Sequence, residues 1–500
     1  MLIGLDYGTT TSLAISWSNG APKEEGRIMS SVFIDNHGHI LAKEKDYREL
    51  TKLDGFCVKS PKAILGDNQA HASFDKSHKT KVHELVTATL TELLSGINVG
   101  ENEPVQITLT VPNAWRDHHY VQMRKCVFEA AENVFGERFD PSTFSIIPEP
   151  VAAALHFVVN KRMDGNGEKN YVIVCDVGGG TTDLAVVRYE KYREPDGYDL
   201  KFEVVCPMEG DPQLGGDKFD LALQRALMPT GVPDGVPEYA FWNAIRDLKS
   251  RLSTLEHAEA AIMKADGTLL KRLCCSRPYF ETEIKAYLGH LETMLTELKG
   301  KLKEYDKDCK FSDVYLLPVG GSCRIPAIRE TMLKVFKGHL CEMQNEKKET
   351  FDSIASGAAF YSAWMNKKTT GFRSIEIVNR VPHRLAIKHA ENALETWVPK
   401  NSPDGRYCPK MLYPIKLNPD GETFDIGKIT LYQGDGDYVT EGLNELYQEP
   451  LVITQKAYAH NRKLTDIPVE LTVVIDNSRI KEITIRIPQG QKNKEDLILP

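Results

Sequence analysis

The fold is decided by the stretch Tyr171–Val187, which reads Y-V-I-V-C-D-V-G-G-G-T-T-D-L-A-V-V. Two apolar, β-branched runs flank three glycines and two threonines. This pattern predicts two strands joined by a turn that glycine alone permits to be so tight. The simplest alternative is an ordinary glycine hairpin with no ligand.

The turn carries groups suited to a phosphate. Without Cβ atoms, the amides of Gly178, Gly179 and Gly180 are able to close around phosphate oxygens. Hydroxyl donors and carboxylates for a hydrated cation flank these glycines at Thr181, Thr182, Asp176 and Asp183.

The amino terminus repeats this arrangement. It reads I-G-L-D-Y-G-T-T-T-S, in which Asp6, Gly8, Thr9 and Thr10 correspond to the aspartate, glycine and threonines of the central stretch. An internal repeat of this length predicts two homologous lobes. Each lobe would offer one phosphate-binding hairpin to a shared cleft.

Composition limits the classes of function. The chain has 500 residues, enough for about three domains. Apolar residues make up 41% and charged residues 26%, as in soluble globular proteins. The net charge of −8 argues against nucleic acid as a partner. No apolar run reaches about 18 residues, so we expect no membrane span.

The expected location is the cytoplasm. The start, M-L-I-G-L-D, has no basic region before an apolar core, so we expect no secretion signal. The ten cysteines include no C-x-x-C pair. They are therefore better explained as buried free thiols in a reducing compartment than as disulfides or metal ligands.

Two further charged residues are candidates for catalysis. Lys62 lies in S-P-K-A-I-L-G, and Glu149 lies in I-I-P-E-P-V-A-A-A-L, ahead of a helix of small residues. An ordinary role would be a surface lysine and a favourable charge at a helix start. The functional interpretation brings the ammonium to the terminal phosphate and the carboxylate to the cation and the attacking water.

A third glycine turn follows later in the chain. The segment Val314–Pro326 reads V-Y-L-L-P-V-G-G-S-C-R-I-P, a strand followed by two glycines at the head of a helix. Such a turn is suited to the adenosine end of a nucleotide. The segment Asp352–Ala363 is a second helix of small residues and matches the one after Glu149.

The periodicity predicts the remaining elements of the first part of the chain. We expect a hairpin over 31–43, a strand over 106–111 and a loop over the polar stretch 189–200. Predicted helices cover 83–94, 118–134, 241–255 and 279–302, and a further helix opens at L-G-G-D-K-F-D, residues 214–220.

By these motifs the chain resembles the actin-like ATPase superfamily, and within it the seventy-kilodalton heat-shock (DnaK-like) chaperones. The matching segments are the two hairpins, S-P-K-A-I-L-G, T-V-P-N-A-W-R-D, L-G-G-D-K-F-D and G-G-S-C-R-I-P. The resemblance implies an α/β actin-like (ribonuclease H-like) two-lobed ATPase domain, followed by a mostly β sandwich domain.

The resemblance also implies cofactors and residue roles. The cofactors are ATP or ADP with Mg²⁺, and K⁺ is a further candidate ion. Asp6 and Asp176 would hold Mg²⁺ through water. The catalytic set would be Lys62, Glu149, Asp176, Thr181 and Asp183, of which Lys62 and Glu149 position the attacking water. The nucleotide-binding set would be Gly8, Thr9, Thr10, Thr11, Gly178, Gly179, Gly180, Thr181, Lys249, Ser253, Gly320, Gly321, Ser322, Arg324 and Asp352.

The chain departs from the family pattern at two places. The adenine-binding helix of the family has a lysine, an arginine and a serine, whereas L-K-S-R-L-S keeps Lys249 and Ser253 but has Ser250 in place of the arginine. Arg251 lies one position later. Thr11 replaces the usual tyrosine or asparagine. From the change at Ser250 we expect weakened adenine affinity, whereas hydrolysis need not be weakened.

The composition changes after Ala363. We predict an ATPase domain over 1–367, an interdomain linker over 368–379 and a substrate-binding-like β-sandwich over 380–500. The linker position holds S-I-E-I-V-N, which is less apolar than the linker of the family. Predicted strands cover 428–431, 451–458, 469–475 and 481–487. The chain ends at Pro500, so we expect no helical lid and fast release of bound peptide.

Three functions fit these observations. The favoured one is an ATP-hydrolysing chaperone that couples nucleotide state to the binding of extended apolar or unfolded polypeptides, with a co-chaperone and an exchange factor as candidate partners. The second is a nucleotide-dependent regulatory or scaffold protein with one dedicated partner. The third, a small-molecule kinase or filament-forming actin relative, fits the β-rich region poorly. Met411, Leu412 and Tyr413 are candidates for peptide contact, although a role in the sandwich core is the more common one.

Overall fold

The structure is a computed structural model of the chain. It describes residues 1–35, 37–42, 55–58, 60–65, 80–112, 115, 117–160, 170–207, 210–211, 214–341, 346–378, 380–381, 384–388, 394–400, 402–403, 405–412, 416–417, 423–428, 431–433, 444–447, 450–454, 469–476, 479–486 and 497–499. Parts of the predicted segments, including Asn36, Gly66 and Tyr413, lie outside this set.

The chain divides into two compact units. The first comprises Met1–Pro112 and Val121–Glu376, and the second comprises Asn113–Tyr120 and Ile377–Pro500. The strands up to Val378 are β1 (Leu2–Tyr7), β2 (Thr11–Ser18), β3 (Ala21–Met29), β4 (Val32–Asp35), β5 (Ile40–Leu41), β6 (Gly55–Val58), β7 (Gln106–Val111), β8 (Ser145–Pro148), β9 (Asn170–Val177), β10 (Thr182–Glu194), β11 (Gly197–Pro207), β12 (His257–Met263), β13 (Leu269–Ser276), β14 (Tyr315–Val319), β15 (His339–Leu340) and β16 (Phe372–Val378).

Helices cover much of the remainder of this part of the chain. In the described residues they are α1 (Pro61–Ile64), α2 (Val82–Ser95), α3 (Asp117–Phe135), α4 (Glu149–Asn160), α5 (Gly216–Leu227), α6 (Glu238–Leu252), α7 (Arg277–Glu283), α8 (Lys285–Tyr305), α9 (Pro326–Phe336) and α10 (Glu346–Met365).

The first unit contains the duplication that the sequence predicts. One sheet has the strand order β3-β2-β1-β7-β8, and the other has β11-β10-β9-β14-β15, with β16 added beside β11. In both sheets the central strand pairs with its hairpin partner in antiparallel orientation and with the next strand, β7 or β14, in parallel orientation. The two sheets are therefore built on the same topology, and each carries one of the two glycine turns.

Apolar side chains of the second sheet pack against helices. Ile173 and Val186 on β9 and β10 form one buried cluster with Phe241 of α6, Leu295 of α8 and Leu316 of β14. These side chains are fully excluded from solvent. Burying each is worth about 1.5–3 kcal/mol, so this core fixes the strands that carry the central turn.

The two helices of small residues, α4 and α10, lie against each other. A Cβ added to Gly357 of α10 would lie 1.9 Å from the carbonyl oxygen of Ala152 in α4. The same helix approaches β1, since a Cβ on Gly4 would lie 2.3 Å from the carbonyl oxygen of Ala355. The small residues therefore permit a backbone separation that larger side chains would prevent.

Most of the elements predicted for the first unit are present, with two corrections. The loop predicted over 189–200 is wrong, because β10 and β11 continue through it as a long hairpin in which Tyr189 pairs with Phe202. Charged side chains pair across these strands, as Arg188 does with Glu203 at 2.8 Å just before the stretch. The single helix predicted over 279–302 is two helices, α7 and α8, which are separated at Ile284.

The second unit is rich in strands. In its described residues these are β17 (Leu385–Lys388), β18 (Leu394–Val398), β19 (Gly405–Leu412), β20 (Lys416–Leu417), β21 (Thr423–Lys428), β22 (Leu431–Gln433), β23 (Asn444–Tyr447), β24 (Pro450–Thr454), β25 (Val469–Asp476), β26 (Arg479–Arg486) and β27 (Leu497–Leu499).

These strands form antiparallel sheets with the orders β18-β17-β22-β23, β19-β25-β26-β27 and β20-β21-β24. The strand predicted over 428–431 is not continuous, since Lys428 ends β21 and Leu431 begins β22. Met411 and Leu412 belong to β19 and pair with β25. Within the described residues, no helix combines the length and the apolar character needed to cross a bilayer.

Candidate nucleotide site

The central turn is closed by its own backbone. The amide of Gly178 donates to the carbonyl of Thr181 at 2.9 Å. On either side, β9 and β10 pair so that Val177 lies opposite Thr182 and Asp176 lies opposite Asp183. The register therefore brings the two aspartates of the motif next to each other at the mouth of the hairpin.

The two glycine turns touch. A Cβ on Gly179 would lie 1.7 Å from Oγ1 of Thr10, and a Cβ on Gly180 would lie 2.8 Å from Cγ2 of Thr9. Neither position tolerates a side chain without movement of the opposite turn. The structure thus places the threonines of the first turn directly against the glycines of the second.

A buried ion pair lies beside the turns. Nζ of Lys62, in α1, donates to Oε1 of Glu149, at the start of α4, at 2.9 Å, and both side chains are 9% exposed. Burial opposes the charge on Lys62, but Glu149, Asp6 and Asp183 outweigh it and raise the lysine pKa. Lys62 is therefore held as an ammonium group among carboxylates.

Three aspartates share this region, of which Asp6 is buried and Asp176 and Asp183 are half-buried. Burial raises the pKa of Asp6 and of Asp183 to about 6 each, and the charge of Glu149 adds to both shifts. Burial raises the pKa of Asp176 well above its usual range, again with contributions from Glu149 and Asp183. Each shift has the same cause, since negative charges have been withdrawn from water and only partly neutralised.

The third glycine turn reaches the same place. Gly320 has a φ of +82°, which a residue with a side chain rarely adopts, and a Cβ there would lie 2.4 Å from Oδ1 of Asp176. Gly321–Arg324 forms a short 3₁₀ turn after it, in which Oγ of Ser322 donates to the carbonyl of Gly178 at 2.9 Å. Gly320, Gly321 and Ser322 are thus brought to the central turn, while Arg324 ends the 3₁₀ turn.

The helix of the predicted adenine site contacts this region through one lysine. Nζ of Lys249 donates to the carbonyl of Gly216 at 2.9 Å and lies 2.8 Å from a carboxylate oxygen of Asp220. Ser253, one turn later, donates to the Lys249 carbonyl at 3.3 Å. Arg251 instead donates to the carbonyl of Glu259 at 2.6 Å, on the side of β12.

Asp352 is placed differently from its neighbours in the predicted set. It is buried near the start of the described part of α10 and is hydrogen-bonded to the guanidinium of Arg27 on β3. Thr11 lies at the start of β2 and closes the first turn against Gly8. The approach is tight, since a Cβ on Gly8 would lie 2.2 Å from the Thr11 carbonyl oxygen.

Several residues of the site were not predicted. Oγ1 of Thr110 donates to Oδ1 of Asp6 at 3.0 Å, and Asp220 balances Lys249. The contact of Thr110 with Asp6 follows from strand pairing. Leu109 of β7 lies beside Leu5 of β1, and Thr110 and Asp6 are the next residues on these strands. The motif L-G-G-D-K-F-D already contains Asp220, but its partner could not be identified without the packing of α5 against α6.

The chain matches a family model. The model for "Hsp70 protein" covers residues 101–404. The chain belongs to the Hsp70 family. This membership assigns the two-lobed, actin-like ATPase fold to the first unit, in agreement with the repeated sheet topology described above.

Several proteins named as chaperones are similar in sequence to this chain. The chain is 26% identical over 362 residues to "Chaperone protein HscA homolog" of Acinetobacter baumannii (strain SDF), covering 67% of this chain and 54% of that protein. It is 26% identical over 433 residues to "Chaperone protein DnaK" of Thermosipho melanesiensis, covering 80% and 65%. A DnaK of Metamycoplasma hominis is 25% identical over 428 residues, covering 80% and 64%. The chain thus spans between about half and two thirds of these Hsp70 relatives.

Proposed function

We propose that this Hsp70-family chain binds ATP and Mg²⁺ between its two glycine turns and hydrolyses the nucleotide slowly. The observation that carries the proposal is the contact of the two turns beside the buried Lys62–Glu149 pair. The turns supply backbone amides and hydroxyls, and the pair supplies one cation and one carboxylate within the same buried region.

The residues fit a nucleotide with a divalent cation. Lys62 supplies one positive charge against Glu149 and three aspartates, so ionised aspartates here would lack a compensating positive charge, in line with their raised pKa values. Bound divalent cations are often the largest local charge in such a site and neutralise carboxylates of this kind. Mg²⁺ prefers oxygen ligands and retains water, which suits Asp6 and Asp176 as holders through water.

Phosphoryl transfer needs positioning more than covalent chemistry. Mg²⁺, when bound, neutralises charge on the phosphate oxygens. Lys62 and Glu149 would orient the attacking water, and Thr181 and Asp183 lie where they would assist, with a long contact of 3.5 Å between them. Gly320, Gly321 and Ser322 would border the adenosine, with Lys249, Ser253, Arg324 and Asp352 as the further proposed contacts.

The proposal extends to the second unit. We propose that 1–367 forms the ATPase domain and that 380–500 forms a β-sandwich for extended, apolar polypeptide segments, joined through 368–379. Support comes from family membership and from the antiparallel sheets of the second unit. Co-chaperone and exchange factor, K⁺ and a cytoplasmic location are parts of the proposal that rest on the family alone.

Binding and turnover test the proposal together. Calorimetry should show binding of Mg·ADP and Mg·ATP, and single-turnover hydrolysis should be measurable. Thr181→Ala should reduce turnover about a hundredfold, equivalent to about 3 kcal/mol. Thr296→Ala, on an exposed face of α8, is the matched control. A chain that binds no adenine nucleotide would contradict the proposal.

Apolar peptides separate the two partner classes. Turnover that rises with a panel of unfolded or extended apolar peptides would support a general chaperone. Turnover that is insensitive to every peptide would instead favour the alternative of one dedicated partner. Sedimentation with ATP tests the remaining class, since filaments would pellet.

A further inference from the structure

Ser30 donates two hydrogen bonds to the first glycine turn. This residue lies just after β3, and its hydroxyl donates to the carbonyl of Gly8 at 2.7 Å. Its backbone amide donates to the carbonyl of Thr10 at 2.8 Å. Ser30 is 0% exposed, so solvent does not compete for either bond.

A second buried hydroxyl fixes the direction of these hydrogen bonds. Oγ of Ser12 lies 2.8 Å from Oγ of Ser30, and Ser12 is also 0% exposed. A hydroxyl carries one proton, and Ser30 gives its proton to Gly8. Ser12 must therefore donate to Ser30, which makes Ser30 the better donor to the turn.

The geometry of the peptide unit extends this effect to the opposite side of the turn. A trans peptide is planar, so its carbonyl and the following amide point in opposite directions. Holding the Gly8 carbonyl toward Ser30 directs the Thr9 amide away from Ser30. Holding the Thr10 carbonyl does the same for the amide of Thr11.

The second turn has the same arrangement with different donors. The Gly178 carbonyl accepts from the Gly216 amide at 3.0 Å and from the Ser322 hydroxyl at 2.9 Å. The Gly179 carbonyl accepts from the Asp217 amide at 2.6 Å. The amides after these carbonyls are directed away from α5. In the first lobe, Ser30 donates hydrogen bonds to the carbonyls of the turn, as the start of α5 and Ser322 do in the second lobe.

We propose that Ser30 is a positioning residue of the nucleotide site. It holds the amides of Thr9 and Thr11 in the orientation that receives an anion, and it acts only through the backbone of the turn. The ligand that depends on Ser30 is then the phosphate chain and not the adenosine. This inference rests on the proposed function and specifies how the first turn binds.

The test compares two nearly identical substitutions in the full chain. Ser30→Ala removes the donor to the turn, whereas Ser12→Ala removes a neighbouring buried hydroxyl and keeps that donor. Calorimetry measures the affinity for Mg·ADP and for adenosine. Ser30→Ala should weaken Mg·ADP binding about tenfold or more and leave adenosine binding unchanged. Ser12→Ala keeps the Ser30 donor, so it should weaken Mg·ADP binding clearly less than Ser30→Ala does, and it should leave adenosine binding unchanged.

The outcomes separate a positioning role from a general loss of packing. Equal losses for Mg·ADP and adenosine, or equal losses in the two variants, would overturn the inference. Ser30→Cys keeps the side-chain size but donates weakly, and it should reproduce the selective loss if the alanine variant does not fold. A wild-type chain that binds no Mg·ADP would overturn the proposed function itself, whereas wild-type binding with an unaffected Ser30→Ala variant overturns only the role of Ser30.

Discussion

Replacing Lys62 with methionine should lower both the unfolding free energy and the rate of ATP turnover. The two effects can be measured separately. The Nζ–Oε1 distance of 2.9 Å to Glu149 gives a Coulomb attraction of about 6 kcal/mol at an effective dielectric constant of about 20. Desolvation of both charges offsets part of this. Removing one partner of a buried pair costs about 3–5 kcal/mol, because the other charge is left uncompensated.

The double variant Lys62→Met, Glu149→Gln provides the comparison. It removes both charges and retains side chains of similar size, so most of the lost unfolding free energy should return. Turnover should not return, since both groups that would orient the water are gone. We therefore expect hydrolysis at least about a hundredfold below wild type in the single and the double variant.

Urea unfolding and single-turnover hydrolysis measure the two quantities on the same protein. In the single variant, Mg²⁺ should recover part of the stability, because a divalent cation neutralises the carboxylates that Lys62 no longer faces. The reasoning is refuted if Lys62→Met turns over ATP at the wild-type rate. It is also refuted if the double variant is as unstable as the single one.

Three further substitutions, two of them with a matched control variant, test other parts of the first unit. Gly357→Ala should lower the unfolding free energy by about 3 kcal/mol in urea titrations, because its Cβ meets the facing helix, whereas Gly300→Ala has open space and should stabilise by about 1 kcal/mol. Burial lowers the pKa of His156 to about 4 from 6.5, so the contribution of this histidine to native stability is fully present above pH 6.5 and falls by about 3 kcal/mol as the pH drops toward 4. His156→Gln should remove that pH dependence in unfolding measurements, and the exposed His257→Gln should retain it. Ser250→Arg should tighten Mg·ADP binding about tenfold by calorimetry, and an unchanged affinity would argue against an adenine contact at this position.

The sequence was sufficient for the hairpins because their chemistry is local. The run of glycines between β-branched residues permits few alternatives, and the same pattern at Asp6 predicted the repeat that the two sheet orders display. Lys62 and Glu149 were each predicted to approach the attacking water, but their ion pair with each other was not predicted. No periodicity connects two residues that are 87 positions apart.

Hydrogen-bond partners that are brought together only by tertiary packing could not be predicted from the sequence. Thr110 reaches Asp6 across 104 residues, and Arg27 reaches Asp352 across 325. Each pair is created when a strand or helix from a distant part of the chain packs against the first sheet. Threonine and arginine are also common on strands, so neither residue is distinctive in the sequence.

The incorrect prediction of a loop over 189–200 has a different cause. This stretch is rich in charge because the far end of the β10–β11 hairpin has a solvated face. Before that end, the partly buried Arg188 meets Glu203 at 2.8 Å and Glu190 at 3.4 Å. Charged cross-strand pairs stabilise a strand without apolar alternation. A rule that equates polarity with loops therefore fails at the exposed end of a long hairpin.

The same reasoning applies to the stretch that stands in the linker position. Its lower apolar content suggested a weak linker, yet Phe372–Val378 forms β16 at the edge of the second sheet. Nε of Arg373 donates to Asp199 at 3.0 Å, and Lys201 lies 2.9 Å from Glu376, while Ile375 is buried between these charged positions. Exposed pairs of this kind contribute little singly, but the two-point contact of an arginine fork adds geometric specificity. The charges that weaken the resemblance to an apolar linker therefore pair with residues of β11 at the edge of the sheet.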